Sequence, residues 1–177
     1  MKLQLTAFAA GAALLAASAS QAATIDWVAW SNGYTAGLTT GVATATSSNA
    51  NVTYTGDVSS VDANYPSWTP TSSYVGGNVG NAPPQSGGIV HMTGGAGTGT
   101  NTITFSTPVV DPVIALWSVG QSGVPVTFNF DTSSLDVVAG GPSTEYGGSA
   151  ITAAGNVVTG VEGNGTIQFH GTFSEIS

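Results

Sequence analysis

Basic side chains are almost absent from this sequence. Lys2 is its only lysine or arginine, set against nine aspartates and glutamates, for a formal net charge of −8. Beyond Lys2 the only other basic side chains are His91 and His170. Nothing here can neutralise a row of phosphates, which excludes nucleic acid as a partner. Anionic membrane surfaces are disfavoured on the same ground. A buried carboxylate in this chain must find backbone donors, a histidine or a metal ion. Cysteine is missing too, so stability rests on burial and backbone pairing, without disulfides. Charged residues are 6% of the chain, where an ordinary domain has roughly a quarter. Beyond the first residues, no stretch holds an amphipathic helical period for three turns.

The one long apolar run lies at the start. Lys2 is followed by the Ala- and Leu-rich stretch Leu3–Ala17, then by Ser20-Gln21-Ala22. This is the pattern of a cleaved, helical signal peptide covering residues 1–22, cut best between Ala22 and Ala23, with Ala17-Ser18-Ala19 as the alternative site. The run is too short and too alanine-rich for a stable span, and the mature region shows no other membrane segment. Residues 23–177 are enough for one domain with a two-layer core.

Gly, Thr, Ser, Asn and Val dominate that region, which suits strands and turns. About ten short strands are expected. Thr24–Trp30 and Asn51–Thr55 alternate, and Tyr34–Thr46 is a weaker strand broken by Gly37 and Gly41. Ile89–Thr93 and Asn101–Ser106 read as a hairpin across Gly94–Thr100. That glycine loop lacks the lysine of a phosphate-binding loop, and a strand follows it rather than a helix. Pro112–Val119 is apolar on both faces, which predicts a central strand covered on both sides. Val124–Phe130, Leu135–Val138, Ser149–Ala153 and Asn156–Val158 follow. Gly165–Phe173 is the long closing strand, entered through the glycine-rich turn that starts at Gly160. Ile167, Phe169 and Phe173 on one face and Thr166, Gln168, His170 and Thr172 on the other predict a half-buried strand. The fold class is therefore all-β: a single antiparallel β-sandwich, jelly-roll-like.

One segment resists this reading. Asp57–Gly87 has no sustained period, yet it holds Tyr65, Trp68 and Tyr74. Loops of this length are usually functional or disordered, and the aromatics argue against disorder. Two roles are open: the aromatics lid the core, or Tyr65, Trp68 and Tyr74 form an exposed platform for stacking sugar rings.

Other candidates for chemistry are few. Asp57-Val-Ser-Ser-Val-Asp62 and Asp131-Thr-Ser-Ser-Leu-Asp136 share one pattern. Asp57, Asp62, Asp131 and Asp136 are thus candidate calcium ligands, or else each closes a local side-chain turn. Glu162, with Gly163 and Gly165, reads as a structural turn pinned by backbone amides to the carboxylate. Gly120-Gln121-Ser122-Gly123 misses the spacing of a nucleophile elbow and reads as a turn. Glu145 and Glu162 are the pair a glycan hydrolase would need, if they face one cleft.

Several runs together resemble the ectodomains of PEP-CTERM proteins. They are Asn101-Thr-Ile-Thr-Phe-Ser-Thr-Pro-Val, Asp111-Pro-Val-Ile-Ala-Leu-Trp-Ser-Val-Gly-Gln121, Val124-Pro-Val-Thr-Phe-Asn-Phe-Asp131 and the closing Gly160–Phe173 stretch. Tyr54-Thr-Gly56, Tyr65-Pro-Ser-Trp-Thr-Pro70 and Asn81-Ala-Pro-Pro84 are similar as well. Members of that family end in a Pro-Glu-Pro motif, a membrane helix and a basic tail. This sequence ends at Glu175-Ile176-Ser177 and carries none of the three, so the resemblance is to the ectodomain alone. It implies an exported protein of a Gram-negative envelope, associated with exopolysaccharide and biofilm. The expected function is a non-enzymatic surface or matrix protein contacting polysaccharide through the aromatic loop. The alternatives are self-association into a fibre or layer, since no lysine guards the strand edges, and glycan hydrolysis.

Overall fold

The structure is a computed structural model that describes residues 22–94 and 99–177. The expected leader lies outside the described residues apart from Ala22, and so does the middle of the glycine loop before Thr100. The described residues contain no helix long and apolar enough to cross a membrane.

The chain is all-β. In order it forms β1 (Ala29–Trp30), β2 (Gly37–Thr46), β3 (Asn51–Val58), β4 (Ser60–Asp62), β5 (Ile89–His91), β6 (Thr102–Val110) and β7 (Val113–Val119). Then come β8 (Val126–Asn129), β9 (Leu135–Gly140), β10 (Ser149–Ala150), β11 (Thr152–Ala154), β12 (Val157–Gly160), β13 (Gly163–Phe169) and β14 (Thr172–Ile176). The strands are more numerous than expected, and β3, β6 and β9 run on past the expected ends at Thr55, Ser106 and Val138. Among the described residues these strands pair antiparallel, except β10 with β13, and an isolated parallel bridge joins Ala23 and Val79.

The first sheet has the order β1-β2-β3-β6-β14. β3 alternates as its sequence demands: Val52, Tyr54, Gly56 and Val58 are buried, with Thr53 and Thr55 more exposed. Ser59 separates β3 from β4. β6 pairs β3 (Val52↔Phe105, Thr55↔Thr102), and β5 pairs β4 (Ser60↔His91, Asp62↔Ile89). The expected hairpin of Ile89–Thr93 with Asn101–Ser106 is therefore corrected. The two segments follow one another along the β3–β4 line and do not pair. The side chain of Asn101 closes the excursion between them, accepting from the Asp57 N–H at 2.7 Å and the Tyr54 hydroxyl at 2.8 Å. The expected strand Thr24–Trp30 shrinks to Ala29–Trp30, because the Asn81 amide takes both the N–H and the C=O of Ile25.

β13 is the centre of the second sheet, with β7 on one side and β9 on the other. This overturns two expectations. Among the described residues β7 is paired along one edge only, to β13, so it is not the central strand. β13 is buried at all seven residues, so the expected half-buried strand is dry as far as Phe169, and of its expected wet face only His170 and Thr172 beyond β13 are exposed. Its apolar face (Ile167, Phe169) lies in register with Ile114 of β7 and with Val137 and Leu135 of β9. Its polar face is covered by the long loop. Thr166 donates its hydroxyl to the Tyr74 carbonyl at 2.9 Å, and Gln168 is 7% exposed. The strand ends at His170-Gly171, and β14 returns to the first sheet.

A third ladder, β11-β12-β8, is joined to the second at a corner. β7 leads into β8, and β12 leads into β13, so the two ladders are arms of one bent ribbon. Gly160 permits the bend: a Cβ there would stand 2.6 Å from that of Val119, closer than packed carbons allow.

Two apolar clusters result. One gathers Val119, Leu135, Ile151, Val158, Ile167, Phe169 and Ile176. The other gathers Ala43, Tyr54 and Val58, with Trp30, Val90, Met92 and Ile103 packed on them. Between them opens a cleft of about 920 Å³ whose walls include Ile103, Phe105, Ile114, Leu116 and Phe128. These side chains are consequently only half-buried.

Candidate functional site

The aromatic residues of the long loop part company. Trp68 is 3% exposed and Tyr74 is fully buried, their rings edge to face at 5.2 Å. They lid the outer face of β13. The exposed platform of Tyr65, Trp68 and Tyr74 is thus corrected: two of its three members are core. Trp68 reaches inward from a backbone with φ 56, a conformation that costs a bulky residue roughly 1–3 kcal/mol and persists where packing outweighs it.

Tyr65 goes the other way. Its ring meets Trp117 of β7 edge-on at 5.1 Å, and Trp117 meets Tyr146 at 5.2 Å with the planes tilted by 49°. Tyr65 and Trp117 are half-buried, and Tyr146 is 60% exposed. Three rings set at angles therefore form an open box on the surface. Trp117 belongs to this box, not to the core as its place in the apolar Pro112–Val119 run suggests. Residues Tyr65, Trp117, Ser118, Tyr146, Glu162 and Asp57 line a single groove of about 790 Å³.

The box is held firmly. Tyr146 sits on a turn closed by reciprocal backbone bonds between Ser143 and Gly147 at 2.7 and 2.9 Å. That turn is stapled to the long loop. The Thr144 N–H donates to the Thr69 carbonyl at 2.7 Å, and the Thr69 hydroxyl donates to that of Thr144 at 2.8 Å. Glu145 completes the staple by accepting the Ser67 N–H at 2.8 Å. Its other oxygen accepts the Trp117 indole N–H over a longer 3.4 Å. Burial tends to raise the Glu145 pKa, but the hydrogen bonds from Ser67 and Trp117 outweigh it and hold the carboxyl below its ordinary value. The Tyr65 phenol is pushed up to about 12, first by desolvation and then by the Tyr146 hydroxyl and the Glu145 charge beside it.

Glu162 lies along the groove from the box. Its carboxylate accepts the Ser118 hydroxyl, and the Ser118 N–H donates to the Asn164 side chain at 2.8 Å. The expected backbone pinning of this turn is therefore replaced by a serine partner. Ser118 and Glu162 both adopt φ 54, so two strained residues face each other at the same place. Gly163 opens β13, and Gly165 sits under Ile151 and the Ala139 carbonyl, where a Cβ has no room. Both glycines serve packing.

Asp57 contributes differently. It is 7% exposed, and its Oδ2 accepts the Gly94 N–H at 2.9 Å, while its buried Oδ1 has no hydrogen-bond partner. The four candidate calcium ligands are not brought together. Asp62 accepts the Asn64 N–H two residues on, and Asp136 meets His170 Nε2 at 2.9 Å. The Asp131 N–H donates to the Ser177 carbonyl. Among the described residues no three carboxylate or histidine side chains gather in a way that could hold a metal ion.

Sequence reasoning missed Tyr146 and the role of Trp117. Tyr146 stands alone in a Gly- and Ser-rich stretch, where no local pattern marks it. Comparison with protein-family models, with curated proteins and with solved structures yields no match.

Proposed function

We propose that the protein is an exported, non-enzymatic component of the cell surface or extracellular matrix, and that it contacts polysaccharide through the Tyr65–Trp117–Tyr146 box. The observation that carries this reading is the exposed Tyr146 ring standing over Trp117 on a stapled turn. Exposed, angled aromatic rings with adjacent carboxylates offer both the apolar face and the acceptors that a sugar ring uses. Glu145 is held ionised by its donors, which suits a hydrogen-bond acceptor rather than the general acid of a hydrolase. The leader-like first 22 residues and the resemblance to PEP-CTERM ectodomains support export to a Gram-negative envelope. The two apolar clusters, one of them shared by β6, β14, β7 and β13, support a sandwich as the architecture. Retention on immobilised polysaccharides tests the reading. Wild type is retained on at least one polysaccharide and Tyr146→Ala is not; wild type passing through a broad panel unretained would sink it.

A second reading rests on a separate observation. β7 is apolar on both faces and, among the described residues, is paired only to β13. No lysine protects that edge. Pairing of β7 edges between copies would build a dimer or fibre, and light scattering that stays monomeric at high concentration would exclude it.

A further inference from the structure

Resting on the polysaccharide reading of the same groove, we infer that its ligand is a glycan bearing free amino groups, an amino-sugar polymer with ammonium charges. Three independent features point to a cation. The Tyr146 ring, tilted by 49° against Trp117 and 60% exposed, leaves aromatic surface open to solvent, and a ring face attracts ammonium groups. Glu145 stands against the box with a carboxylate fixed by Ser67 and Trp117. Asp57, lining the same groove, keeps a buried oxygen without any donor, and an unpaired buried acceptor of this kind is costly unless a ligand supplies the proton.

The charge inventory selects against the opposite class. A uronic or sulfated polymer would bring anions to a groove lined by two carboxylates (Asp57 and Glu162), with Glu145 bonded to the indole of Trp117 beside it and His91 as the one basic side chain along it, in a protein whose only lysine or arginine is Lys2. A neutral polymer fits the rings but leaves the Asp57 oxygen and the Glu145 charge unused. The groove volume of about 790 Å³ falls in the range of ordinary ligand sites.

The test compares soluble glucosamine oligomers with free amines, the same oligomers fully N-acetylated, and poly-lysine, by calorimetric titration at mildly acid pH. The free-amine oligomer is expected to bind about tenfold more tightly than the acetylated one, the order of one cation–π contact beside a carboxylate. That preference shrinks in Glu145→Gln and in Asp57→Asn and with added salt, while Tyr146→Ala weakens both ligands. Equal affinity for the two oligomers overturns the inference while leaving polysaccharide binding standing. Failure of wild type to bind either oligomer, while it is retained on another polysaccharide, overturns the inference alone; failure on every polysaccharide overturns both. Poly-lysine binding as tightly as the amine oligomer, and equally sensitive to Tyr146→Ala, would make the ligand a basic peptide and refute the glycan class.

Discussion

Two aromatic groups, begun within a few residues of each other on one loop, meet opposite fates. Trp68 and Tyr74 turn inward onto β13 and are buried; Tyr65 turns outward and joins Trp117 and Tyr146 in an open box. The same residue types do structural work in one place and present a surface in the other. What separates them is their neighbour. The inward pair lies over a strand whose polar face needs covering, and the Tyr74 carbonyl accepts the Thr166 hydroxyl. The outward ring packs on the half-buried Trp117 of β7, whose other aromatic neighbour is the exposed Tyr146. A loop of this kind thus acts as lid and rim together.

The sharpest way to break this comparison is to truncate one ring from each group. Tyr74→Ala is expected to cost about 3–5 kcal/mol of unfolding free energy, as for other buried aromatics. Tyr146→Ala is expected to stay within about 0.5 kcal/mol, as for surface positions. Urea denaturation of the two variants reads the contrast, and equal losses would erase it. A smaller effect probes the seam between lid and sheet. Thr166→Val leaves the Tyr74 carbonyl without its donor, and a loss of about 1–3 kcal/mol follows. No loss in the same denaturation assay would mean that the seam is held elsewhere.

Smaller still, and opposite in sign, is the effect of Tyr74→Phe. The Tyr74 hydroxyl is buried without a partner, so removing it should leave stability unchanged or raise it by about 1 kcal/mol. A clear loss in thermal melting would show a partner for that hydroxyl. The smallest effect is the acid limb contributed by Glu145. Its folded pKa is depressed, so it releases its proton more readily folded than unfolded. Its contribution is fully present above the unfolded value near 4.5 and fades as pH falls through the lower folded value. Stability measured from neutral to acid pH should therefore fall less steeply in Glu145→Gln than in wild type. Identical profiles would show that Glu145 is not held by its donors.

The all-β class was legible because strand periodicity is local: β3 buries the alternate residues that its sequence marks. Partner choice was not. The stretch Gly165–Phe169 alternates apolar and polar like a strand with one wet face, yet Thr166 and Gln168 are dry, Thr166 beneath Tyr74 of a loop that lies 92 residues upstream. Pro112–Val119 reads as central because both faces are apolar, and both faces are indeed met, by the core and by Trp117's aromatic neighbours, but among the described residues only one edge carries a paired strand, β13. The site failed to show for a related reason. Tyr65 was visible as an aromatic in a long loop, whereas Trp117 and Tyr146 reach it from distant segments. Only the stapling of Thr144 and Glu145 to Ser67 and Thr69 brings them together.

Tryptophan fluorescence during titration with a soluble polysaccharide that retains the wild type tests the division of labour most directly. Wild type should show a saturable change that persists in Trp68→Phe and vanishes in Trp117→Phe. A change that survives in Trp117→Phe and is lost in Trp68→Phe would contradict the account, because it would place the contact surface on the pair assigned here to the core.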